Sequence, residues 1–447
     1  MSRNLLLTLG HNSSAILIDN GKIACGYEEE RLSKVKSDSA FPRLAIMKCL
    51  ENKYVPSLDK IYISYWNDSF DIFKDSDMTV DKHYDRKFLQ TLCKHYGCTI
   101  QYLSKDLTHH DAHAYAALNF FENHATEDEK AQDFHVIVSD GFGNQEEVTT
   151  VYHREGSQLK QIDKVFDYFS SVGLMYQYAT SFCGMKENED EYKFLGYESH
   201  IKEALDDKQI ELLYKYADAF VREYIRKAEA AKQEDSYGSY INVSKLKAVK
   251  EWWKNEFEAF LKTLDYSKET HDIEKVRCVI AAFIQYNIEQ FIGHFVDKHH
   301  IKNLILSGGI FYNVKLNNFL MNKISGKICV YPLAGDQGAA LGLQRFYEGQ
   351  FEFKSLLFGK RNLHASRTDL EYIKQLDRFY YYEDRDAFIC KVAELVKANK
   401  IVNVMTDSME FGPRALGSTT TLALPTRENV SYINQLNKRN DVMPMAP

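Results

Sequence analysis

A strand that ends in a turn of glycine and small polar residues, and then returns as a second strand, occurs twice in this chain. The first copy covers residues 5–18 with its turn at 10–14, and the second covers residues 134–153 with its turn at 140–144. Short apolar runs bounded by such residues are typical of buried strands. The chain therefore carries a coarse internal repeat, and its fold has to accommodate both copies.

Two further glycine-rich turns follow in the second half of the chain. Residues 304–307 form a short apolar run that precedes Gly308 and Gly309. Residues 331–342 are typical of a strand end, a loop that holds Asp336, and a helix that opens with small residues. Three amphipathic helical patterns lie between the second copy of the repeat and these two turns. The last of the three is apolar enough to belong to the core. These patterns cover residues 204–232, 243–264 and 272–299.

The turns near residues 10, 140 and 308 resemble, in this order, the two phosphate loops and the adenosine loop of the actin/sugar-kinase/Hsp70 (ASKHA) ATPase superfold. That fold is a duplicated α/β domain with a nucleotide in the cleft between its halves. The resemblance predicts an α/β fold of this class over residues 1–355, with a helical insertion at about 200–265. It also implies that backbone groups at these turns approach the nucleotide closely.

Two histidines four residues apart, His109 and His113, precede a run of good helix formers. On a helix, positions i and i+4 lie on the same face, so one metal ion could bind both imidazoles. Thr108 is placed to cap the N-terminus of that helix. Because two ligands do not close a metal site, a solvated helix start remains an alternative for this segment on its own.

Two aspartates stand where the predicted cleft should lie. Asp140 ends a strand, and Asp336 lies in the glycine-rich loop before a helix. With His109 and His113 they make a mixed nitrogen and oxygen ligand set. Such a set favours Fe(II), Mn(II) or Zn(II) over Ca(II), which prefers oxygen ligands alone. It would also leave coordination positions open for a substrate.

Composition narrows the partners that we expect. The 447 residues are 45% hydrophobic and 27% charged, with a formal net charge of −7. That charge supplies no general attraction for nucleic acid, which argues against duplex DNA as a direct partner. No run of 18 apolar residues is present, so we expect no membrane span. Eight scattered cysteines without a Cys-x-x-Cys motif are typical of a cytoplasmic protein.

Ten short strings, spread over nearly the whole chain, carry a more specific resemblance. They are Gly10-His11-x-x-Ser14-Ala15, Glu28-Glu29-Glu30-Arg31, Phe41-Pro42, His109-His110-x-Ala112-His113-Ala114, Asp140-Gly141-x-Gly143, residues 171–176, residues 186–193, Gly308-Gly309-x-x-x-Asn313, residues 334–342 and Met409-Glu410-Phe411-Gly412-Pro413-Arg414-Ala415-Leu416-Gly417. In these strings the chain resembles the O-carbamoyltransferases, which include the nodulation-factor enzyme and enzymes of cephalosporin and aminoglycoside antibiotic biosynthesis. That family is in turn similar to the tRNA threonylcarbamoyl-transfer proteins.

The resemblance implies an enzyme that moves a carbamoyl group from carbamoyl phosphate, through ATP and carbamoyl adenylate, to a hydroxyl group. The acceptor would be a small molecule, a sugar or a hydroxymethylated nucleotide. A first domain would hold the metal and perform the transfer, and a second domain, here at residues 360–447, would activate carbamoyl phosphate with ATP. We expect Fe(II) as the metal, with Zn(II) or Mn(II) as alternatives.

The same resemblance gives each candidate site residue a role. His11 would act as the general base beside the acceptor, because an imidazole can take a hydroxyl proton near neutral pH. Arg414 would contact phosphate or carboxylate oxygens, two of which it can bind at once. The metal ligands would be His109, His113, Asp140 and Asp336. The nucleotide and carbamoyl-phosphate site would be formed by Gly141, Gly143, Lys193, Gly308, Gly309 and Asn313.

Two other functions stay open at this point. One is an ATP-dependent small-molecule kinase of the same superfold, which would not need His109 and His113 as a pair. The other is a non-catalytic subunit of a carbamoylation complex. Stoichiometric bound metal and tight ATP binding would count against that second alternative.

The C-terminal part departs from the family pattern in two places. The family has Asn-Arg-Ser-Ile after Pro-Arg-Ala-Leu-Gly, where residues 418–421 here are Ser-Thr-Thr-Thr. It then has Arg-Pro-Phe-Ala-Pro, where Met443 takes the place of the arginine. We therefore expect residues 360–447 to be the N-terminal part of the activation domain, in which a strand at 401–405 lacks partners. A second chain that completes this domain, or a homodimer, is the expected protein partner.

A chain with an incomplete activation domain should not make carbamoyl adenylate efficiently. We expect the 447-residue chain, given labelled ATP and carbamoyl phosphate, to release no AMP or pyrophosphate above the rate seen without carbamoyl phosphate. Thin-layer chromatography of the labelled products measures this. Steady release of either product that depends on carbamoyl phosphate would contradict the prediction.

Overall fold

The computed structural model describes residues 2–51, 55–66, 85–104, 106–231, 241–268, 271–359, 367–376, 382–405 and 408–437. The chain divides into two compact units. The first unit comprises Met1–Ile23 and Tyr27–Lys354, and the second comprises Ala24–Gly26 and Ser355–Pro447. All four predicted metal ligands belong to the first unit.

Ten strands form two five-stranded sheets. The first sheet contains β1 (Arg3–Thr8), β2 (Ser14–Asp19), β3 (Lys22–Glu28), β4 (Lys60–Trp66) and β5 (Thr99–Leu103). The second contains β6 (His135–Ser139), β7 (Glu147–Glu155), β8 (Gln158–Phe166), β9 (Leu304–Ser307) and β10 (Ile328–Val330). The central strands β1 and β6 are apolar runs buried on both faces, as expected for strands covered by helices or loops on each side.

The two sheets have the same topology. The first is ordered β3-β2-β1-β4-β5 and the second β8-β7-β6-β9-β10. In each sheet the central strand pairs antiparallel with the next strand of the chain and parallel with the fourth, which pairs parallel with the fifth. The internal repeat in the sequence is therefore a repeat of fold, and the predicted duplicated α/β class is confirmed.

Helices cover the sheets and form most of the long connections. They are α1 (Glu29–Ser33), α2 (Arg43–Leu50), α3 (Arg86–Tyr96), α4 (His109–His124), α5 (Glu127–Lys130), α6 (Val172–Phe182), α7 (Glu191–Tyr197), α8 (Ile201–Ala204), α9 (Asp207–Ala230), α10 (Val243–Thr263), α11 (Ile273–Lys298), α12 (Val314–Lys323) and α13 (Ala340–Glu348). Helices α9, α10 and α11 form where the three amphipathic patterns predict them. Their apolar faces meet at Phe220 and Tyr224 of α9. Trp253 of α10 packs on both of these rings, Phe283 of α11 packs on Phe220, and Phe291 of α11 packs on Tyr224. Among the described residues, none of the helices has the length and apolar character needed to cross a bilayer.

The first unit has two halves, each comprising one five-stranded sheet and its connecting helices, and one helix of each half packs on the sheet of the other. Helix α4 follows the first sheet in the chain but packs on β6, β7 and β9 of the second. Helix α13 follows the second sheet but packs on β1 and β4 of the first. The two helices also pack on each other, and Arg345 of α13 binds Glu122 of α4 in a buried ion pair at 2.9 Å. This exchange brings the N-terminal ends of both helices to one place.

The described residues of the second unit form a two-stranded sheet and three helices. Strand β11 (Val402–Met405) pairs antiparallel with β12 (Thr419–Leu422). The helices are α14 (Arg367–Lys374), α15 (Arg385–Lys397) and α16 (Arg427–Leu436). The expectation that the strand near 401–405 lacks partners is therefore wrong, because the threonines that depart from the family pattern have the β-branched side chains that favour a strand. Met443 lies outside the described residues.

The crossing of α4 and α13 depends on Gly342. A Cβ atom at this position would lie 1.8 Å from the carbonyl oxygen of Ala112, a backbone atom that cannot rotate away. Alanine would gain about 1 kcal/mol in helix propensity, but the clash outweighs this gain. We expect Gly342→Ala to lower the free energy of unfolding by about 1–3 kcal/mol, measured by urea denaturation. Gly141→Ala is the control, since its Cβ meets nothing within 4 Å; equal stability of both variants would contradict the prediction.

Candidate metal centre

Helix α4 presents His109 and His113 from its first turns. Thr108 Oγ1 accepts a hydrogen bond from Asp111 N at 3.3 Å, and Asp111 Oδ2 accepts one from Thr108 N at 2.8 Å. This capping box confirms the predicted N-cap and fixes where the helix begins. The two imidazoles consequently lie on one face, with their Nε2 atoms 3.1 Å apart.

Asp140 and Asp336 each bring a carboxylate to this pair. His113 Nε2 lies 3.4 Å from Asp140 Oδ2 and 3.3 Å from Asp336 Oδ1. His109 Nε2 lies 3.3 Å from the same Asp336 oxygen. One ligand atom from each of the four residues lies within 4.8 Å of all the others. The structure thus brings together the four residues that were predicted as ligands, from three separate segments of the chain.

These spacings leave room for a metal ion between the four side chains. Ligand atoms about 2.0–2.2 Å from a metal at tetrahedral angles lie about 3.3–3.6 Å from one another. Asp140 Oδ2 is buried and accepts no hydrogen bond from the described residues. An unsatisfied buried oxygen is rare in proteins, and a cation would satisfy it. Two imidazoles and two carboxylates could hold Fe(II), Mn(II) or Zn(II).

His109 and Asp336 each shift the pKa of the other. Burial alone would lower the pKa of His109, but the carboxylates of Asp336, Asp140 and Glu147 raise it to about 9. Burial alone would raise the pKa of Asp336, but the two imidazoles hold it well below its usual range. The metal-free centre therefore keeps a proton on His109 beside an ionised Asp336. A metal ion has to displace that proton in order to bind.

His110, which lies between the two ligand histidines in the sequence, has a structural role. The His110 side chain is buried against the second sheet, with its Nδ1 atom 2.8 Å from Thr150 Oγ1. Burial, together with the nearby Lys164 ammonium, lowers the pKa of His110 well below its ordinary value. His110 is therefore neutral and stands apart from the four clustered ligands.

His11 lies at the exposed edge of the same centre. Its Nδ1 atom is 3.8 Å from Asp336 Oδ2, and 50% of its side chain is exposed to solvent. Glu191 is half-buried and lies within range of the charge of His11. An exposed imidazole beside a buried cluster of charges is accessible to an incoming hydroxyl group.

The loop that follows β9 approaches the four clustered ligand residues, and two glycines allow this close approach. Gly308 has a φ of +100°, and a Cβ there would lie 2.1 Å from Ser139 O. A Cβ on Gly309 would lie 3.1 Å from Asp140 Oδ1. Asn313 caps α12, because its Oδ1 atom accepts hydrogen bonds from two backbone N–H groups of that helix. These residues have packing roles in the fold, and nucleotide contact by them stays a prediction.

The remaining predicted site residues are spread over three places. Gly141 and Gly143 lie in the turn between β6 and β7, where Gly141 N donates to Asp140 Oδ1 at 2.7 Å. Lys193 Nζ lies 2.6 Å from Asp190 Oδ1, so its charge already has a partner. Arg414 is exposed in the β11–β12 connection of the second unit. The structure does not gather these residues into one cluster within a unit.

Three residues that were not predicted as site residues also shape the cluster of four ligands. Gly173 lies directly against the backbone of Asp140, where a Cβ would meet Asp140 O at 2.6 Å. Asn144 Oδ1 accepts a hydrogen bond from His109 N at 2.7 Å, and Glu147 Oε1 accepts one from His110 N at 3.0 Å. Asparagines and glutamates of this kind are common in surface turns, so only their place in the fold reveals these contacts.

Comparison with known proteins places the chain in a family. A model described as "Carbamoyltransferase N-terminus" matches residues 5–344, which include all four clustered ligands. A model described as "Carbamoyltransferase C-terminus" matches residues 393–447. The chain belongs to the carbamoyltransferase family. The resemblance carried by its motifs is therefore confirmed, and family membership makes the protein a transferase enzyme.

Its relatives are longer than this chain. An uncharacterized protein of Methanocaldococcus jannaschii is 28% identical over 454 residues, covering 98% of this chain and 76% of that protein. The nodulation protein NolNO of Sinorhizobium fredii is 25% identical over 471 residues, covering 100% of this chain and 63% of that protein. Among solved structures, the activator of 2-hydroxyisocaproyl-CoA dehydratase from Clostridium difficile with bound ADPNP aligns with a TM-score of 0.40 and 13% identity, over 78% of this chain and 96% of that chain.

Metal affinity should depend on pH through His109. Because its pKa is about 9 in the metal-free protein, a metal ion has to displace a proton at every pH below that value. The apparent affinity for Co(II) should rise about tenfold per pH unit from pH 7 to 9 and level off above it. Calorimetric titrations in two buffers of different ionisation enthalpy should show about one proton released per ion at pH 7.5. Equal affinities at pH 7 and pH 8 would contradict this.

Proposed function

We propose that this carbamoyltransferase moves a carbamoyl group from carbamoyl phosphate, through ATP and carbamoyl adenylate, to a hydroxyl group of a small molecule. The observation that carries the proposal is the cluster of His109, His113, Asp140 and Asp336 within the matched N-terminal region of the family. Such a cluster supports a divalent metal ion, for which we propose Fe(II), with Zn(II) or Mn(II) as alternatives. A sugar or a hydroxymethylated nucleotide is the acceptor that we propose.

His11 is the proposed general base. The acceptor hydroxyl would give its proton to the imidazole while its oxygen attacks the carbamoyl carbon of carbamoyl adenylate. The bond between that carbon and the phosphate oxygen then breaks, and AMP leaves. The resulting imidazolium would be stabilised by the Asp336 carboxylate, whose Oδ2 atom lies 3.8 Å from His11 Nδ1. A metal held by the four ligands would supply a Lewis acid for the charge on the carbamoyl oxygen or the phosphate.

The glycine turns support the proposed nucleotide site. Gly308 and Gly309 bring the loop after β9 to the end of β6 without side chains between them, as a fold with a nucleotide between its halves requires. Gly141, Gly143 and Asn313 belong to the same proposed site. Lys193 would join it by exchanging Asp190 for a phosphate or carbamoyl-phosphate oxygen. Arg414 would act on phosphate oxygens in the activation step.

We propose that the second unit is part of the activation domain and is completed by further polypeptide. Apolar side chains of this unit are left exposed: Leu436 is 66% exposed, Met405 64% and Ile389 50%. No described residue of α15 is buried, although the helix carries several apolar residues. Exposed apolar groups of this size on so small a unit support a covering partner, either more of the same chain, a second chain or a second copy. None of the eight cysteines forms a disulfide bond, and we propose a cytoplasmic location, where thiols stay reduced.

The decisive variant replaces both imidazoles of the metal pair. We expect His109→Ala with His113→Ala to reduce carbamoyl transfer at least about 100-fold, because the Lewis acid is worth several kcal/mol. Mass spectrometry of candidate alcohols, incubated with the protein and carbamoyl adenylate, would detect the gain of one carbamoyl group. His124→Ala, an exposed histidine on the same helix α4, is the matched control. Transfer of phosphate from ATP that survives in the double variant would support a kinase instead.

A further inference from the structure

The first N–H groups of helix α4 are bound by side chains from outside the helix. His109 N donates to Asn144 Oδ1 at 2.7 Å, and His110 N donates to Glu147 Oε1 at 3.0 Å. Most helices leave such groups to water or to a single capping residue. Here Asn144 of the β6–β7 turn and Glu147 at the start of β7 bind two successive N–H groups. The first of these groups belongs to His109, a proposed metal ligand.

Glu147 is the centre of this arrangement. Besides His110 N, its carboxylate accepts hydrogen bonds from Thr108 Oγ1 at 3.1 Å and from Lys164 Nζ at 2.8 Å. The side chain of Glu147 is only 1% exposed and that of Lys164 only 8% exposed. Burying an ion pair is usually no more stabilising than burying apolar groups of the same size. A role beyond stability therefore accounts better for a buried charge at this position.

The backbone between Asn144 and Glu147 has an unusual conformation, which lets both side chains reach the first N–H groups of α4. Gln145 and Glu146 have φ angles of +56° and +61°, in the left-handed region that residues other than glycine rarely adopt. A residue with a side chain is strained in this region, and strain of this kind concentrates at functional sites. Lys245 of α10 holds this bend, with its Nζ atom 2.5 Å from Glu146 Oε2 and 3.1 Å from Asp167 Oδ1.

We propose that Glu147 is a positioning residue that sets the direction of His109 and His113 toward the metal. It binds Thr108 and His110, the neighbours of His109 on both sides, and so fixes the first turn of α4 against the second sheet. Asp140 stands at the end of β6 in that same sheet. Lys164 on β8 neutralises the carboxylate and holds it in place. The proposal rests on the metal centre of the proposed function.

The test uses Co(II) as a probe of the full 447-residue chain. Glu147→Gln keeps the shape of the side chain but removes its charge and one of its acceptor oxygens. We expect the Co(II) affinity, measured by competition with a chelator, to fall about tenfold. We also expect the visible absorption bands of bound Co(II) to shift, because they report ligand geometry.

Glu122→Gln is the matched control. Like Glu147, Glu122 is a buried carboxylate in an ion pair, here with Arg345. Glu122 belongs to α4 itself and lies at the end of the helix far from the metal ligands. The Glu122→Gln variant should have a lower melting temperature but an unchanged Co(II) affinity and an unchanged Co(II) spectrum. A purely structural role for Glu147 predicts the same result for Glu147→Gln, and that result would overturn the proposal.

Lys164 supplies a second, milder pair of variants in case Glu147→Gln does not fold. Lys164→Met should weaken Co(II) binding and shift its spectrum in the same direction, and Lys164→Arg should restore both. Wild-type binding and spectrum in Lys164→Met would overturn the positioning role. Absence of Co(II) binding by the wild-type chain itself would instead overturn the metal centre on which the inference rests.

Discussion

The contact between Ala112 of α4 and Gly342 of α13 is the constraint on which the rest of the first unit depends. Each of these helices follows one sheet of the first unit along the chain and packs on the other sheet. They can cross at backbone distance only because Gly342 has no side chain. The crossing brings the start of α4, with its two imidazoles, to the loop that carries Asp336. A wider crossing would separate the ligand atoms, which now lie within 4.8 Å of one another.

The centre follows the symmetry of the repeat without repeating its residues. The loop after β1 carries His11, and the equivalent loop after β6 carries Asp140. The start of α4 carries the pair of imidazoles, and the equivalent start of α13 follows Asp336. The first half of the repeat therefore supplies imidazoles, and the second half supplies carboxylates. That difference lets a duplicated scaffold hold imidazole and carboxylate groups in contact, where each stabilises the charge of the other.

Much of the fold could be predicted because the sequence follows simple periodic patterns. Buried strands with glycine turns, a threonine before a helix, and long amphipathic stripes each reflect a local rule, and β1, α4 and α9–α11 formed as those rules predict. The strand β12 was not predicted, because a run of threonines is compatible with a loop as well as a strand. The positions of Asn144 and Glu147 could not be foreseen, since the strained turn that aims them has no signature in residue type. For the proposed metal ligands, the spacing of His109 and His113 indicated only half of the set. Asp140 and Asp336 were added because they lie where the cleft of the resembled superfold should be.

The exchange of helices between the halves also has a consequence for how the protein matures. His113 and Asp336 are 223 positions apart in the sequence, and both sheets must form before their side chains can meet. Contacts of such long range form late and slowly during folding. In small zinc-binding domains the ion drives folding, but here it would find a complete site only after the polypeptide has folded. Loading of the proposed metal would therefore be a separate, final step, after a folded state whose binding site carries a proton in place of the ion.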